Sequence, residues 1–466
     1  MTVDGRAFPG SAVFDVLNPA TGKVVAHAPV CSRSQLDGAV AAARAAFPSW
    51  SRRPAAGRRA FLQAMADTVE AHAEELAGLI ILEQGKPLAL AHGEVAGLGH
   101  WLRETARLDL PETVNQDDGT RWSVTERVPL GVIGALTPWN YPLGQLSFKL
   151  GPALLAGNTV VLKPSSYTPL ANLRLGELLR DVLPAGVLNV ISGEDELGPW
   201  MTAHPGFDKI SFTGSTETGK RVMGNAARSL TRVTLELGGN DPAIVLPDVD
   251  VKRVAPQLFW AAFANTGQIC LAVKRLYLHA DIYDAMAREL VAIARRVRLG
   301  DPSAADTELG PLSHARQYQR VVELLKDSRD QGHPFLCGGL PRPGEAGYFV
   351  APTLVDNPPE DARIVREEQF GPVLPLLRYA DVDGAVDRAN NSEYGLGASV
   401  WSADTEAARA VAARLEAGTV WVNEVMHLDP HVAFGGLKQS GIGVESGHEG
   451  LLEFTQPRTL TVKRGG

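Results

Sequence analysis

Cys270 lies in Asn265-Thr266-Gly267-Gln268-Ile269-Cys270-Leu271-Ala272, where polar and glycine-containing residues precede a thiol. That composition predicts a loop leading into a helix. A thiol there faces the positive end of the helix, which favours the thiolate and hence a nucleophile. The same residues also fit a small buried hydrophobe, the reading given to Cys31 and Cys337. Leu235-Glu236-Leu237-Gly238-Gly239-Asn240 ends an apolar strand on a carboxylate followed by two glycines. A Glu in that setting is partly desolvated, a base poised nearer neutrality; a solvated strand-end Glu is the alternative. Thr137-Pro138-Trp139-Asn140-Tyr141-Pro142 brackets Asn140 with prolines. Rigid backbone around a neutral amide suits an oxyanion donor, and equally suits a plain turn.

A phosphate-binding signal is present in altered form. No G-x-G-x-x-G occurs, but Phe212-Thr213-Gly214-Ser215-Thr216-Glu217-Thr218-Gly219-Lys220 follows one strand and opens a helix. It falls short of a nucleotide triphosphate loop because Arg221 stands where Ser or Thr would hold magnesium. A glycine turn feeding a helix start still offers free N–H groups and a positive dipole end to a pyrophosphate, or else it is only a capped turn. His427, Asp429 and His431 carry metal-ligand chemistry, yet they share a short Pro-containing loop with no further Cys or His nearby, and are read as solvated loop residues with no metal.

The elements that position these segments follow from pattern. Helical periodicity covers 34–82, with Leu36, Val40, Ala43 and Phe47 on one face, Leu62, Met65 and Val69 on another, Ser34 as cap and Gly85-Lys86-Pro87 as the stop. From about residue 130, β-branched runs (131–136, 159–162, 187–191, 209–212, 232–237, 243–246) alternate with helical segments (143–155, 170–183, 216–230). A second series follows Cys270, with helices at 285–299, 317–331 and 405–415 and strands at 397–401 and 419–423. This alternation predicts parallel sheets covered by helices. Segment 109–127 alternates polar and apolar residues and reads as a hairpin, either a packed surface ribbon or a dimerisation arm. Pro341–Gly347 reads as an exposed turn and Gly465-Gly466 as a short tail.

Composition narrows the class. The 466 residues carry 45 Lys+Arg against 53 Asp+Glu, a net charge of −8, the wrong sign for a phosphate backbone or an anionic membrane. No apolar run approaches the ~20 residues of a membrane span, and the N-terminus lacks a signal-peptide core. Three cysteines argue for a reducing compartment, so a cytoplasmic enzyme without nucleic-acid or membrane partners is expected.

In this order and spacing the four segments resemble the aldehyde dehydrogenase superfamily. The resemblance runs from Val16-Leu17-Asn18-Pro19-Ala20-Thr21-Gly22, through Glu368-Gln369-Phe370-Gly371-Pro372-Val373, to Phe434-Gly435-Gly436-Leu437-Lys438-Gln439-Ser440-Gly441. It implies an α/β fold: a Rossmann-like NAD(P)-binding domain (1–108 and 128–238, with 431–453 packing back near it), an α/β catalytic domain (239–430) and a small β oligomerisation ribbon (109–127 and 454–466). A homodimer or homotetramer is implied with it.

The resemblance also implies roles. Cys270 is the nucleophile toward an aldehyde, Asn140 and the Cys270 N–H hold the oxyanion, Glu236 activates the water that releases the acid, and Lys149 assists a proton relay around Glu236. Lys163 contacts the adenosine ribose, Gly214 and Ser215 the pyrophosphate with Trp139 nearby, Glu368 the nicotinamide ribose, and Phe370 packs at that end. Ser166 stands where many NAD-specific members carry Glu, so NAD is expected with NADP possible. Val444 stands where Arg is common and has no functional reading. Glu236 favours water over coenzyme A as the acyl acceptor. An aldehyde tunnel of Tyr141, Gln145, Phe148, Ala264, Ile269, Leu271 and His427 is mostly apolar, which suits a medium-sized neutral aliphatic or aromatic aldehyde. The alternatives are a semialdehyde or aminoaldehyde dehydrogenase, a CoA-acylating dehydrogenase and a cofactor-independent cysteine hydrolase.

Overall fold

A computed structural model of the chain describes residues 1–342, 344 and 346–464. Pro343 and Glu345 of the expected turn, and the Gly465-Gly466 tail, lie outside the described residues. Two sheets carry the architecture. The first has eight strands in the order Arg6–Ala7, Thr2–Val3, Leu188–Val190, Thr159–Lys163, Val132–Leu136, Lys209–Thr213, Arg232–Glu236, Gly441–Ile442. Its five central strands are parallel, and only the edges are antiparallel. Their near-continuous burial explains the uninterrupted Val, Ile and Leu runs, since helices cover both faces.

The second sheet has seven strands: Phe335–Cys337, Thr353–Asp356, Val373–Tyr379, Val273–His279, Asp241–Val245, Gly397–Trp401 and Thr419–Val422. All neighbours are parallel except the Phe335–Cys337 edge, where Cys337 is only half-buried rather than a core residue. The chain leaves the C-terminal end of Arg232–Glu236 and enters the N-terminal end of Asp241–Val245 through only Leu237–Asn240. The C-terminal edge of one parallel sheet therefore faces the N-terminal edge of the other. In the first sheet that edge includes the switch point between Val132–Leu136 and Lys209–Thr213, where α/β folds open a crevice.

The helical region at the N-terminus resolves into Arg33–Ser51, Ala55–Ala71 and Ala73–Gln84. Its cap is Ser32 rather than Ser34: Ser32 Oγ accepts from the Gln35 N–H while the Gln35 side chain accepts from the Ser32 N–H, a capping box. Gly85, at φ 81°, ends the third helix as expected, but Pro87 starts a fourth, Leu88–Thr105. The helix expected over 285–299 spans Ala280–Ala294, shifted because the His279 side chain caps it by accepting from the Asp281 N–H.

The 109–127 hairpin forms strands Thr113–Asp117 and Arg121–Pro129. It is not alone, because Thr455–Lys463 pairs antiparallel along the whole second strand. Among the described residues, no helix is long and apolar enough to cross a membrane.

Candidate active site

Between the two sheet edges lies a cleft of about 700 Å³. Nine of the expected residues meet there: Trp139, Asn140, Gln145, Gly214, Ser215, Glu236, Cys270, Glu368 and Phe370. Eight arrive from a strand end or the segment beside one, and Gln145 from the first turn of the helix Gly144–Ala156. Trp139–Asn140 follow Val132–Leu136, Gly214–Ser215 follow Lys209–Thr213, and Glu236 closes Arg232–Glu236. From the second sheet, Cys270 precedes Val273–His279 and Glu368–Phe370 precede Val373–Tyr379.

The turn carrying Cys270 corrects one expectation. It leads into a strand, not a helix, so the thiol does not stand at the start of a helix of its own. Asn265, Thr266 and Gly267 adopt φ of 50°, 58° and 71°, left-handed geometry that costs energy at the two non-glycine positions. A lattice of buried bonds holds it: Thr266 Oγ1 donates to Gly310 O (2.8 Å), Gln268 Nε2 to Asn265 O (2.9 Å), and the Ser313 N–H to Gln268 Oε1 (2.8 Å). Gly267 has no substitute here, since a Cβ would sit 2.2 Å from Gly371 O. Burial and the neighbouring Glu236 carboxylate push the thiol well above its ordinary range, while Lys274 opposes them.

Asn140 is 4% exposed and its Nδ2 donates to Gln268 O (2.9 Å), which fixes the amide beside the Cys270 turn and leaves one N–H available to the cleft. Its own carbonyl accepts from Lys86 Nζ (2.9 Å) and Asn265 Nδ2 (3.2 Å). Lys86 is buried, paired with Glu94, and stands 3.4 Å from the centre of the Tyr141 ring. Glu94 in turn accepts from the Leu143 and Gly144 N–H groups (2.8 and 2.9 Å), anchoring the helix start after Tyr141.

Glu236 is 2% exposed, and neither carboxyl oxygen has a hydrogen-bond partner among the described residues. Burial, reinforced by Glu445, raises its pKa to about 8. Lys149 lies beneath the cleft rather than in its wall. Its Nζ donates to Thr213 Oγ1 (2.7 Å) and to Glu445 Oε1 (2.5 Å), and its charge lowers the Glu236 pKa.

Around the other end of the cleft, Glu368 Oε1 accepts from the Gly239 N–H (3.1 Å) and lies 3.6 Å from Lys274 Nζ. Trp139 meets Phe370 edge-on at 5.3 Å. Gly214 differs from expectation: its N–H is not free but donates to Glu236 O (3.1 Å). Ser215 caps the helix Thr216–Ala226 by accepting from the Thr218 N–H (3.3 Å), so the first-turn amides are the donors left to an anion. Lys163 lies outside this cleft; burial lowers its pKa to about 8, and its Nζ donates to Pro164 O (3.1 Å). Ser166 borders a separate cavity with Tyr167, Glu194, His314 and Arg316.

The expected tunnel assembles in part. Tyr141, Ala264, Ile269 and Leu271 join Cys270 in one apolar cluster with Trp421 and Phe434, and Gln145 lines the cleft. Phe148 instead packs edge-on against Trp101 at 5.5 Å, and the His427 side chain is 59% exposed; neither lines the cleft. Gln317 and Arg320 do line it, and sequence reasoning passed over both, along with Lys86, Lys274 and Glu445. The one available signal was Lys86 itself, a charge set between a helix-ending Gly and a helix-starting Pro.

Comparison with known proteins fits this geometry. The family model for the Aldehyde dehydrogenase family matches residues 8–460. The chain is 43% identical to a probable aldehyde dehydrogenase of Pseudomonas sp., with 100% of this chain and 94% of that protein covered. It is 40% identical to phenylacetaldehyde dehydrogenase of Pseudomonas fluorescens, covering 96% and 92%. The crystal structure of PnpE in complex with nicotinamide adenine dinucleotide, a Pseudomonas sp. WBC-3 protein, superposes with a TM-score of 0.97 at 37% identity, covering 100% and 97%. The chain belongs to the aldehyde dehydrogenase family, oxidoreductases that act on aldehydes.

Proposed function

We propose that this chain oxidises a medium-sized neutral aliphatic or aromatic aldehyde to its carboxylic acid with NAD(P)+, releasing the acid with water. The observation that carries the proposal is the meeting of Cys270, Asn140 and an unpartnered, buried Glu236 in one cleft. Cys270 Sγ attacks the carbonyl carbon as the thiolate, its proton having passed to solvent water, so that Glu236 is left as a carboxylate for the later step. The carbonyl oxygen becomes an oxyanion held by the free Asn140 N–H and the Cys270 N–H. The nicotinamide cofactor, when bound, supplies the hydride acceptor. The acyl group left on Cys270 Sγ is then attacked by water whose proton Glu236 accepts, a role matched to a pKa of about 8.

Three features of the chain fit a dinucleotide. Among the described residues Glu368 Oε2 accepts no hydrogen bond, and Gly238 leaves it room, as a Cβ there would lie 2.6 Å from that oxygen; this suits ribose hydroxyls. The helix start at Ser215 suits a pyrophosphate. Lys163, half-buried and donating to one carbonyl among the described residues, has donors left for the adenosine ribose. Ser166 itself brings no carboxylate, while Glu194 lines the same cavity and Asp195 acts on Lys163, so NAD is assigned with NADP possible. The apolar surroundings of Cys270 support a neutral substrate, and the phenylacetaldehyde dehydrogenase relative supports an aromatic one. The eight-stranded sheet with its helices is assigned as the cofactor domain, the seven-stranded sheet as the catalytic domain, and the Thr113–Pro129 and Thr455–Lys463 ribbon to assembly into a cytoplasmic homodimer or homotetramer.

Nicotinamide reduction across aliphatic, aromatic, semialdehyde and aminoaldehyde substrates, each with NAD and NADP, tests the proposal beside Cys270→Ala. Cys270-dependent turnover of hexanal or phenylacetaldehyde is expected. A semialdehyde preferred by more than about tenfold in kcat/KM, roughly 1.4 kcal/mol, would overturn the substrate assignment. Turnover that survives Cys270→Ala would overturn the mechanism.

A further inference from the structure

Lys274 is a buried cation, the second residue of the strand Val273–His279 that follows Cys270. Its side chain is 3% exposed, a costly place for an ammonium unless the site uses it. Its Nζ donates to Ile269 O (2.9 Å) and Cys270 O (2.5 Å), the carbonyls on either side of the nucleophile, and lies 3.6 Å from Glu368 Oε1. We infer that Lys274 is a positioning residue for the reaction, acting through the Cys270 backbone.

The argument rests on which peptide it touches. Ile269 C=O and Cys270 N–H belong to one peptide unit. An ammonium on the oxygen withdraws electron density from that unit and makes the N–H a stronger donor, as successive hydrogen bonds polarise one another. That N–H is one of the two proposed oxyanion donors, so the inference rests on the dehydrogenase reading above. The second bond, to Cys270 O, fixes the following peptide, so both planes flanking Sγ are held by one charge. The contact with Glu368 ties this turn to the carboxylate assigned to the cofactor ribose. Charged and titratable groups facing the thiol are Glu236, Lys274 and Asp241. Glu368 and Asp241 face Lys274, with the Phe370 ring centre 5.9 Å from its Nζ. Lys274 is therefore the cation acting on a thiol whose other charged neighbours are the Glu236 and Asp241 carboxyl groups. A buried ion pair by itself adds little to stability, so the position is better explained by what its bonds hold.

The test uses full-length Lys274→Met, which removes donor and charge, and Lys274→Gln, which keeps a donor without charge. Alkylation of Cys270 by iodoacetamide, followed on its peptide by mass spectrometry across pH, needs neither aldehyde nor cofactor. Its outcome is thus separable from the dehydrogenase reading. Both variants should shift the alkylation midpoint upward and slow alkylation at pH 8 about tenfold, one unit of thiol pKa. The rate of the first hydride transfer should fall further in Lys274→Met than in Lys274→Gln. If Lys274→Met fails to fold, Lys274→Gln carries the test. A folded variant with the wild-type midpoint and a hydride-transfer rate within about twofold of wild type would overturn the inference, and so would a lowered rate with an unmoved midpoint, which marks a packing role.

Discussion

Two carboxyl groups share the cleft, and their surroundings treat them oppositely. Glu236, at a strand's C-terminal end, has neither oxygen hydrogen-bonded, and burial raises its pKa to about 8. Glu368, on the approach to a strand's N-terminal end, accepts from the Gly239 N–H and lies beside Lys274. Burial pushes Glu368 upward too, but a cation and an amide act against it. A residue that must take and give a proton is left bare, and one that must remain an acceptor is solvated by the protein. Two identical side chains acquire different chemistry from the ends of the strands that bear them.

The comparison breaks most visibly at Glu236→Gln, which removes the base and keeps the shape. Steady-state turnover should fall about a thousandfold, while the first turnover still reduces about one cofactor per site in stopped-flow absorbance. Lys149→Met acts from beneath. It leaves Glu445 buried without its cation, so denaturant titration should show a loss of about 3–5 kcal/mol. If the folded variant retains activity, the acidic limb of its pH–rate profile should move to higher pH, because Lys149 no longer lowers the Glu236 pKa.

Glu368→Gln tests the other carboxylate. Cofactor KM should rise about tenfold, the order of one lost charged hydrogen bond, with the acyl-release step unchanged in pre-steady-state kinetics. The smallest effect sharpens the contrast through pH. Because Glu236 holds its proton more tightly when folded, the stability it contributes is full below the ordinary carboxyl range and is lost as pH rises through about 8. Turnover that needs the carboxylate rises over the same interval. Glu236→Gln should therefore raise Tm by a few degrees at pH 8.5 and by much less at pH 5.5, read by scanning calorimetry.

Much of this was legible in the sequence, for reasons of locality. The parallel strands betray themselves by unbroken β-branched runs, and Cys270, Glu236 and Asn140 by residue types set beside glycine or proline. The misses are long-range. Lys149 and Glu445 are 296 positions apart, and nothing near either announces the other. The Cys270 turn reads as a helix start because polar loop residues precede strands as readily as helices. Only the fold shows Val273–His279 pairing in a sheet. Phe148, expected in the tunnel, packs edge-on against Trp101, a residue of another helix that no local pattern ties to it. The helix Val251–Phe263 lies outside the expected elements, although Val254, Leu258 and Phe259 carry its period.

The central claim is that the substrate's acyl group resides on Cys270 until Glu236 activates water. Glu236→Gln, mixed with an aldehyde and NAD and then digested for mass spectrometry, tests it directly. The account predicts a Cys270 peptide heavier by the acyl group, in proportion to the cofactor reduced. Reduced cofactor with an unmodified Cys270, or acyl mass on another residue, would contradict it.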